Sequence, residues 1–329
     1  MQIVPLAPDS AVEHLDGWVE LYSMLVREQV PEIEPPTRTA ALAELISDAD
    51  AKVEALLAWD GGQALGAMTA SMWLREDQHR ASVDMVVRPE LRRRGIGSRL
   101  ADVMTGVLQA AGRECASADV ADRQAGLAFS SARGARETLR DVRSRLDLTT
   151  VDAGWLRTIA SAVPDPYSIA AWVDRCPEDL VDGVARAQEA MNDRPTGTGR
   201  RDDLKWDAGR VRALEIRRQR RGLQALTLAA VHGPSGDVAG FTEIVVAGAE
   251  ATGAWQEETA VIAAHRGHGL GLVIKAANLL RLLDAAPRAR WVVTWNAADN
   301  GFMRAVNERL GYAVCEEWVE VEADLRVTG

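Results

Sequence analysis

Two stretches of this 329-residue chain repeat each other at a constant offset, which limits the possible folds more than any other feature. The first is Val86-Val87-Arg88-Pro89-Glu90-Leu91-Arg92-Arg93-Arg94-Gly95-Ile96-Gly97-Ser98. The second is Thr259-Ala260-Val261-Ile262-Ala263-Ala264-His265-Arg266-Gly267-His268-Gly269-Leu270-Gly271. Gly62 aligns with Gly236, Gly66 with Gly240, Asp84 with Glu258, Val87 with Val261, Arg92 with Arg266, Gly95 with Gly269 and Gly97 with Gly271, all without a gap. In each copy a β-like run passes through an Arg/Gly turn into an amphipathic helix. Leu100, Val103, Met104, Val107, Leu108 and Ala111 line one face of the first helix, and Val273, Ala277, Leu280 and Leu283 one face of the second. The glycines let the backbone approach a ligand with no Cβ in the way, and the following helix offers unpaired N–H groups to an anion. Two such units in register point to a duplicated domain with two phosphate cradles.

Composition narrows the partners. A formal charge of −10 argues against nucleic acid, which needs clustered cations over a broad face, while one diphosphate needs only one basic turn. No apolar run is long enough to span a membrane, and the first residues lack the basic and apolar regions of a secretory signal. Cys115, Cys176 and Cys315 are widely spaced, which suggests neither a disulfide framework nor a metal site. A cytoplasmic, reduced protein is the expectation.

Along the chain, a strand over 2–7 and a helix through Val12, Leu15, Trp18, Leu21 and Leu25 precede an irregular proline-rich loop over 31–37. Strands over 53–59 and 63–74 flank the hairpin turn Asp60-Gly61-Gly62, and a third over 81–87 enters the first Arg/Gly turn. A helix over 98–111, a strand over 114–119, a helix over 123–132 and a strand over 138–148 complete the half. A helical bridge over 152–190, broken by prolines, leads to a charged helix over 206–221. Its arginines read as a solvated face, with Val211, Leu214 and Ile216 turned inward. Strands over 224–231, 237–247 and 255–263 repeat the meander. A strand over 290–295, a helix over 298–310 and a strand over 312–321 end the chain.

The pattern Arg/Gln-x-x-Gly-x-Gly/Ala between strand and helix resembles the acetyl-CoA pyrophosphate loop of the GNAT superfamily of N-acetyltransferases. It stands here as Arg92-Arg93-Arg94-Gly95-Ile96-Gly97 and Arg266-Gly267-His268-Gly269-Leu270-Gly271. The resemblance spans nearly the whole chain and is strongest over 60–113 and 236–314. The second half also resembles the actinobacterial tandem type related to mycothiol synthase. The implied fold is α/β (α+β): two tandem domains, 1–150 and 151–329, each a mixed, mostly antiparallel twisted sheet flanked by helices. The implied cosubstrate is acetyl-CoA. Its diphosphate would lie on Arg92, Arg93, Arg94, Gly95, Ile96, Gly97 and Ser98, or on Arg266, Gly267, His268, Gly269, Leu270, Gly271 and Leu272. A backbone N–H at Val87 or Val261 would polarise the thioester. The 31–37 loop would border an acceptor pocket, although its residues read equally as a solvated connector.

Acetyl transfer needs a neutral amine, a polarised carbonyl and a proton for the leaving thiolate. Glu258 and Asp84 occupy equivalent places before each loop and are the candidate bases; the competing reading is a solvent charge or a loop cap. The family's second motif, Asn-x-x-Ala-x-x-Leu-Tyr-x-x-x-Gly-Phe, keeps Asn300 and Gly311 here but has Asn307 at the tyrosine position and Tyr312 at the phenylalanine position. The first half has Ser130 and Arg123 at the tyrosine and asparagine positions. Neither Asn nor Ser is a useful acid near neutral pH. Tyr312 is the remaining tyrosine, in a place that suits packing. His265 and His268 beside the second loop suit hydrogen bonding to a diphosphate or to water, and the tryptophans are dispersed.

The second half keeps more of the pattern, so the expected activity is direct acetyl transfer there to a small-molecule amine, with the acidic balance favouring a cationic one. A CoA-binding or regulatory protein without turnover and an acetyltransferase of protein N-termini or lysines are the alternatives. Oligomeric state stays open.

Overall fold

The computed structural model describes residues 1–122 and 124–326. The first half runs β1 (Gln2–Leu6), α1 (Val12–Gln29), α2 (Arg38–Ala43), β2 (Ala51–Asp60), β3 (Gln63–Trp73), β4 (Arg80–Val87), α3 (Ile96–Ala110), β5 (Cys115–Ala121), α4 (Gln124–Ala132) and β6 (Arg136–Asp147). The second runs α5 (Ala153–Ser161), β7 (Tyr167–Val173), α6 (Val181–Glu189), α7 (Ala208–Arg220), β8 (Gln224–His232), β9 (Val238–Val246), β10 (Gly253–Val261), α8 (Leu270–Ala285), β11 (Trp291–Ala297), α9 (Gly301–Arg309) and β12 (Ala313–Asp324). Arg123 lies outside the described residues. No helix among those described is long and apolar enough to cross a membrane.

Local sequence explains most elements. Leu15, Trp18 and Leu21 recur along α1 and are buried, pinning it to the sheet. Gly61 and Gly62 both take positive φ, 55° and 82°, as a two-residue hairpin between β2 and β3 requires. Gly66 and Gly240 allow close strand approach, because a Cβ would meet the Val86 carbonyl oxygen at 2.8 Å and that of Ala260 at 2.6 Å.

All twelve strands form one sheet, ordered β1-β2-β3-β4-β5-β12-β6-β11-β10-β9-β8-β7. Among the described residues only β4–β5 and β10–β11 pair in parallel; the other pairings are antiparallel. The halves exchange strands at the centre. β12, the last strand of the second half, lies between β5 and β6 of the first, and β6 in turn pairs with β11. Each half therefore supplies the inner hydrogen-bonding edge of the other.

Three expectations are corrected. The span 152–190 is not a helical bridge: β7 pairs with β8 along its whole length. Its residues, Tyr167-Ser168-Ile169-Ala170-Ala171-Trp172-Val173, carry the aromatic and β-branched side chains that strands favour. The arginines of α7 are not a solvated face. Arg210 is buried against Glu76 (2.9 Å), Arg218 binds Glu243 (2.8 Å), and Arg217 and Arg221 reach Asp48 (2.6 Å) and Glu44 (2.5 Å) of the first half. Ile216, expected inward, is 48% exposed.

The 31–37 loop is neither a pocket rim nor a solvated connector. Ile33 is buried, and the Glu32 carboxylate takes hydrogen bonds from Arg143 at 2.6 Å and Arg145 at 3.0 Å on β6. Burial pushes the Glu32 pKa up, but the two guanidiniums outweigh it and hold the group below the usual range. This stabilisation is present above the unfolded-state pKa and lost as pH falls through the folded one. Glu32→Ala removes one of the two carboxylates on buried Arg143, leaving Glu316 at 3.2 Å, and is expected to cost about 2 kcal/mol, read as a shift in the urea midpoint.

Candidate active site

The two Arg/Gly loops have nearly the same backbone. Each strand ends in a 3-10 turn, Pro89–Leu91 or Ala263–His265, followed by an arginine in extended conformation. Arg92 Nε donates to the Val87 carbonyl at 3.1 Å and Arg266 Nε to that of Val261 at 3.0 Å. Glu28 and Asp193 hold the two guanidiniums at 2.6 and 2.5 Å. These arginines therefore brace the loops, and the amides that follow them open α3 and α8 with no side-chain cap. Gly95 (φ 82°) and Gly269 (φ 75°) precede α3 and α8 in the left-handed region; no side chain caps either helix, and a Cβ at either glycine would meet nothing within 4 Å. Ile96, Leu270 and Gly271 are buried and Leu272 packs on the core, so they offer backbone only. Arg93, Arg94 and Ser98 are exposed around the first cradle and Gly267 and His268 around the second.

Beyond each cradle the sheet opens. β4 pairs with β5 only over Arg80–Ser82, and β10 with β11 only over Gly253–Trp255. Beyond those residues the facing edges of each strand pair do not bond to one another. In the first half Met85 and Phe129 crowd the start of α3, where a Cβ on Gly97 would touch them at 3.4 Å and 3.5 Å. In the second, a Cβ on Gly271 would meet only Val261, at 3.9 Å. By the repeat, Met85 becomes Thr259 and Phe129 becomes Val306, both smaller.

A cavity of about 610 Å³ reaches the second opening. Its walls include Trp255 to Thr259 of β10, Thr294 to Ala297 of β11, Asn300, Lys275 of α8, and Asp119 and Asp141 from the first half. Asn300 caps α9, accepting from the Met303 amide at 3.2 Å, so its side chain is spent on the helix. Asn307 donates to Asn296 at 2.7 Å.

Glu258 faces this cavity, with Arg194 at 3.8 Å, and burial raises its pKa. So does its neighbour Glu257. Residues adjacent in a regular strand point to opposite faces, but the register of β10 against β9 shifts between Gln256 and Thr259, a bulge that turns both carboxylates to one side. Glu257 is exposed to cavity solvent, but the enclosing walls, with Glu258 and Glu243 nearby, push it up to about 7 against the pull of Arg218. Asp119 rises to about 6 through burial and the charges of Glu320 and Asp141, and Asp141 rises as well. Asp84 stands apart, in a recess near Tyr22 and Glu44 where crowding raises its pKa, and it does not line the cavity. Tyr312 is core: 4% exposed, its hydroxyl unpaired, its pKa pushed up by burial.

Two residues escaped the sequence reading. Glu257 was hidden by the assumption of strand alternation. Lys275 carried a signal: it stands on the buried side of α8, in helical register with Gly271, Asn278 and Leu282, where a charge is out of place.

The family model of the acetyltransferase (GNAT) family matches residues 18–129. The chain is similar to a solved tandem GNAT protein from the clavulanic acid biosynthesis pathway, crystallised without acetyl-CoA. Identity is 28%, coverage 100% of this chain and 99% of that one, and TM-score 0.83. A GCN5-related N-acetyltransferase from Sphaerobacter thermophilus shares the fold at 17% identity over 99% of this chain and 97% of its own (TM-score 0.62). One from Kribbella flavida does so at 13% over 98% and 72% (TM-score 0.51). A search of curated proteins found no match.

Proposed function

We propose that this chain, with its GNAT-family match over residues 18–129 and the tandem GNAT fold over its whole length, is an acetyltransferase whose second half transfers acetyl from acetyl-CoA to a small cationic amine. The observation that carries this reading is the open gap between β10 and β11, which leads from the second cradle to the carboxylates of the cavity. The diphosphate would rest on the amides at the start of α8 and the pantetheine in the gap. Glu257, poised near neutrality, would take the proton of the attacking amine, with Glu258 beside it. A cavity of this size suits a small molecule better than a protein segment. Asp119, Asp141 and Glu257 have no ion-pair partner among the described residues, and an acceptor cation would supply one. Trp73, Trp206, Trp255 and Trp295 add aromatic faces that favour cations.

The test is release of free thiol from acetyl-CoA with a panel of small amines. Diamines and amino sugars are expected to exceed neutral amines of equal size by about tenfold or more in kcat/KM, one to two kcal/mol of charge recognition. Asn307 in the tyrosine place favours a second reading, a protein that binds CoA without turnover. Tight acetyl-CoA binding with no thiol release from any amine would establish that reading instead.

A further inference from the structure

Lys275 has no explanation in the packing. It sits in the second turn of α8, 1% exposed, and no hydrogen bond or ion pair holds its ammonium among the described residues; its polar neighbour is the face of the Tyr312 ring, 5.6 Å from Nζ. A buried cation without a partner is costly and persists where it has work to do. The equivalent residue of the first half is Ala101, so the fold does not need a lysine here. Lys275 also lines the large cavity together with Gln256, Thr294 and Asn296, which flank the gap between β10 and β11. Lys275 thus belongs at once to the buried side of α8 and to the wall of the cavity. Beside the gap, Asn307 fills the place where the family's tyrosine would protonate sulfur, and its Oδ1 and the Gln256 Oε1 are buried without partners.

We propose that Lys275 is the proton donor to the departing CoA thiolate, in place of the absent tyrosine. This rests on the reading of the second half as the acetyl-CoA site. The amine lone pair forms the C–N bond, the C–S bond breaks with its electron pair on sulfur, and the Lys275 ammonium gives that sulfur one proton. CoA thiol and a neutral lysine result. The proton lost by the acceptor nitrogen passes to Glu257, and cavity water recharges the lysine. Burial alone lowers the Lys275 pKa, to about 7, so both forms are populated near neutrality. The charged groups on the elements around α8 do not oppose this. Glu243 of β9 is held by Arg218, Glu257 and Glu258 of β10 face the cavity, Arg157 of α5 is exposed, and His232 of β8 binds Ser235.

The test needs no acceptor. The ultraviolet difference between bound CoA and bound desulfo-CoA, followed against pH, reports the thiol alone. In the unaltered protein the bound thiol is expected to titrate at least one unit below the free value of about 8.5. In Lys275→Met and Lys275→Ala, which keep acetyl-CoA binding, it should return to 8.5 or above. With an active amine, the alkaline limb of kcat near pH 7 should vanish in both variants. Identical thiol titrations in the unaltered protein and the variants would overturn the role of Lys275 while leaving the cofactor site intact. Failure of the unaltered protein to bind CoA would overturn the site itself, and the proposal with it.

Discussion

Gly269→Glu is expected to abolish acetyl-CoA binding at the second cradle and lower thiol release at least a hundredfold. Two effects combine. Gly269 has a φ of 75°, where an L-residue costs about 1–2 kcal/mol, and the new carboxylate stands before the uncapped first turn of α8, where a diphosphate would rest. Calorimetric stoichiometry and thiol release are the readouts. A Cβ at Gly269 meets nothing within 4 Å, so the fold tolerates the change, and Gly269→Ala separates backbone strain from charge. Gly95→Glu makes the same change in the first half, where Met85 and Phe129 crowd the start of α3, and should leave thiol release nearly intact. The reverse pattern, turnover lost with Gly95→Glu and kept with Gly269→Glu, would move the site to the first half.

Glu257→Gln should lower kcat by about 10²–10⁴, the usual range for loss of a general base, with acetyl-CoA affinity unchanged. The pH profile carries the sign. A base with a pKa of about 7 must be ionised to act, so kcat in the unaltered enzyme rises as pH climbs through 7, and this acidic limb should disappear in the variant. Glu258→Gln, whose carboxylate already has Arg194 at 3.8 Å, should have the smaller effect. An unchanged acidic limb in Glu257→Gln would sink its role as base and shift attention to Glu258.

Much of the fold was legible because it is encoded locally. The hairpin at Gly61-Gly62, the left-handed glycines before α3 and α8 and the apolar helix stripes are demands of backbone geometry and burial that a few neighbouring residues express. β7 was missed because a short edge strand between prolines has a weak periodic signal, and the α7 arginines because the acidic partners of Arg210, Arg217 and Arg221 lie more than a hundred residues away. The site was legible at the cradles and blurred at the chemistry. Glu258 could be placed by the repeat, whereas Glu257 depended on a bulge and Lys275 on which face of α8 the sheet covers.

The sequence by itself determined that the chain is a duplicated strand-loop-helix unit with two cradles, because turn chemistry and helix period act over a few residues. Tertiary structure alone decided that β6 and β12 change places at the centre of one sheet and that Met85 and Phe129 crowd the start of α3. It also gathered Glu257, Glu258, Asp119, Asp141 and Lys275 from both halves around one cavity. The physical reason is that strand pairing and side-chain packing are settled between residues remote in sequence.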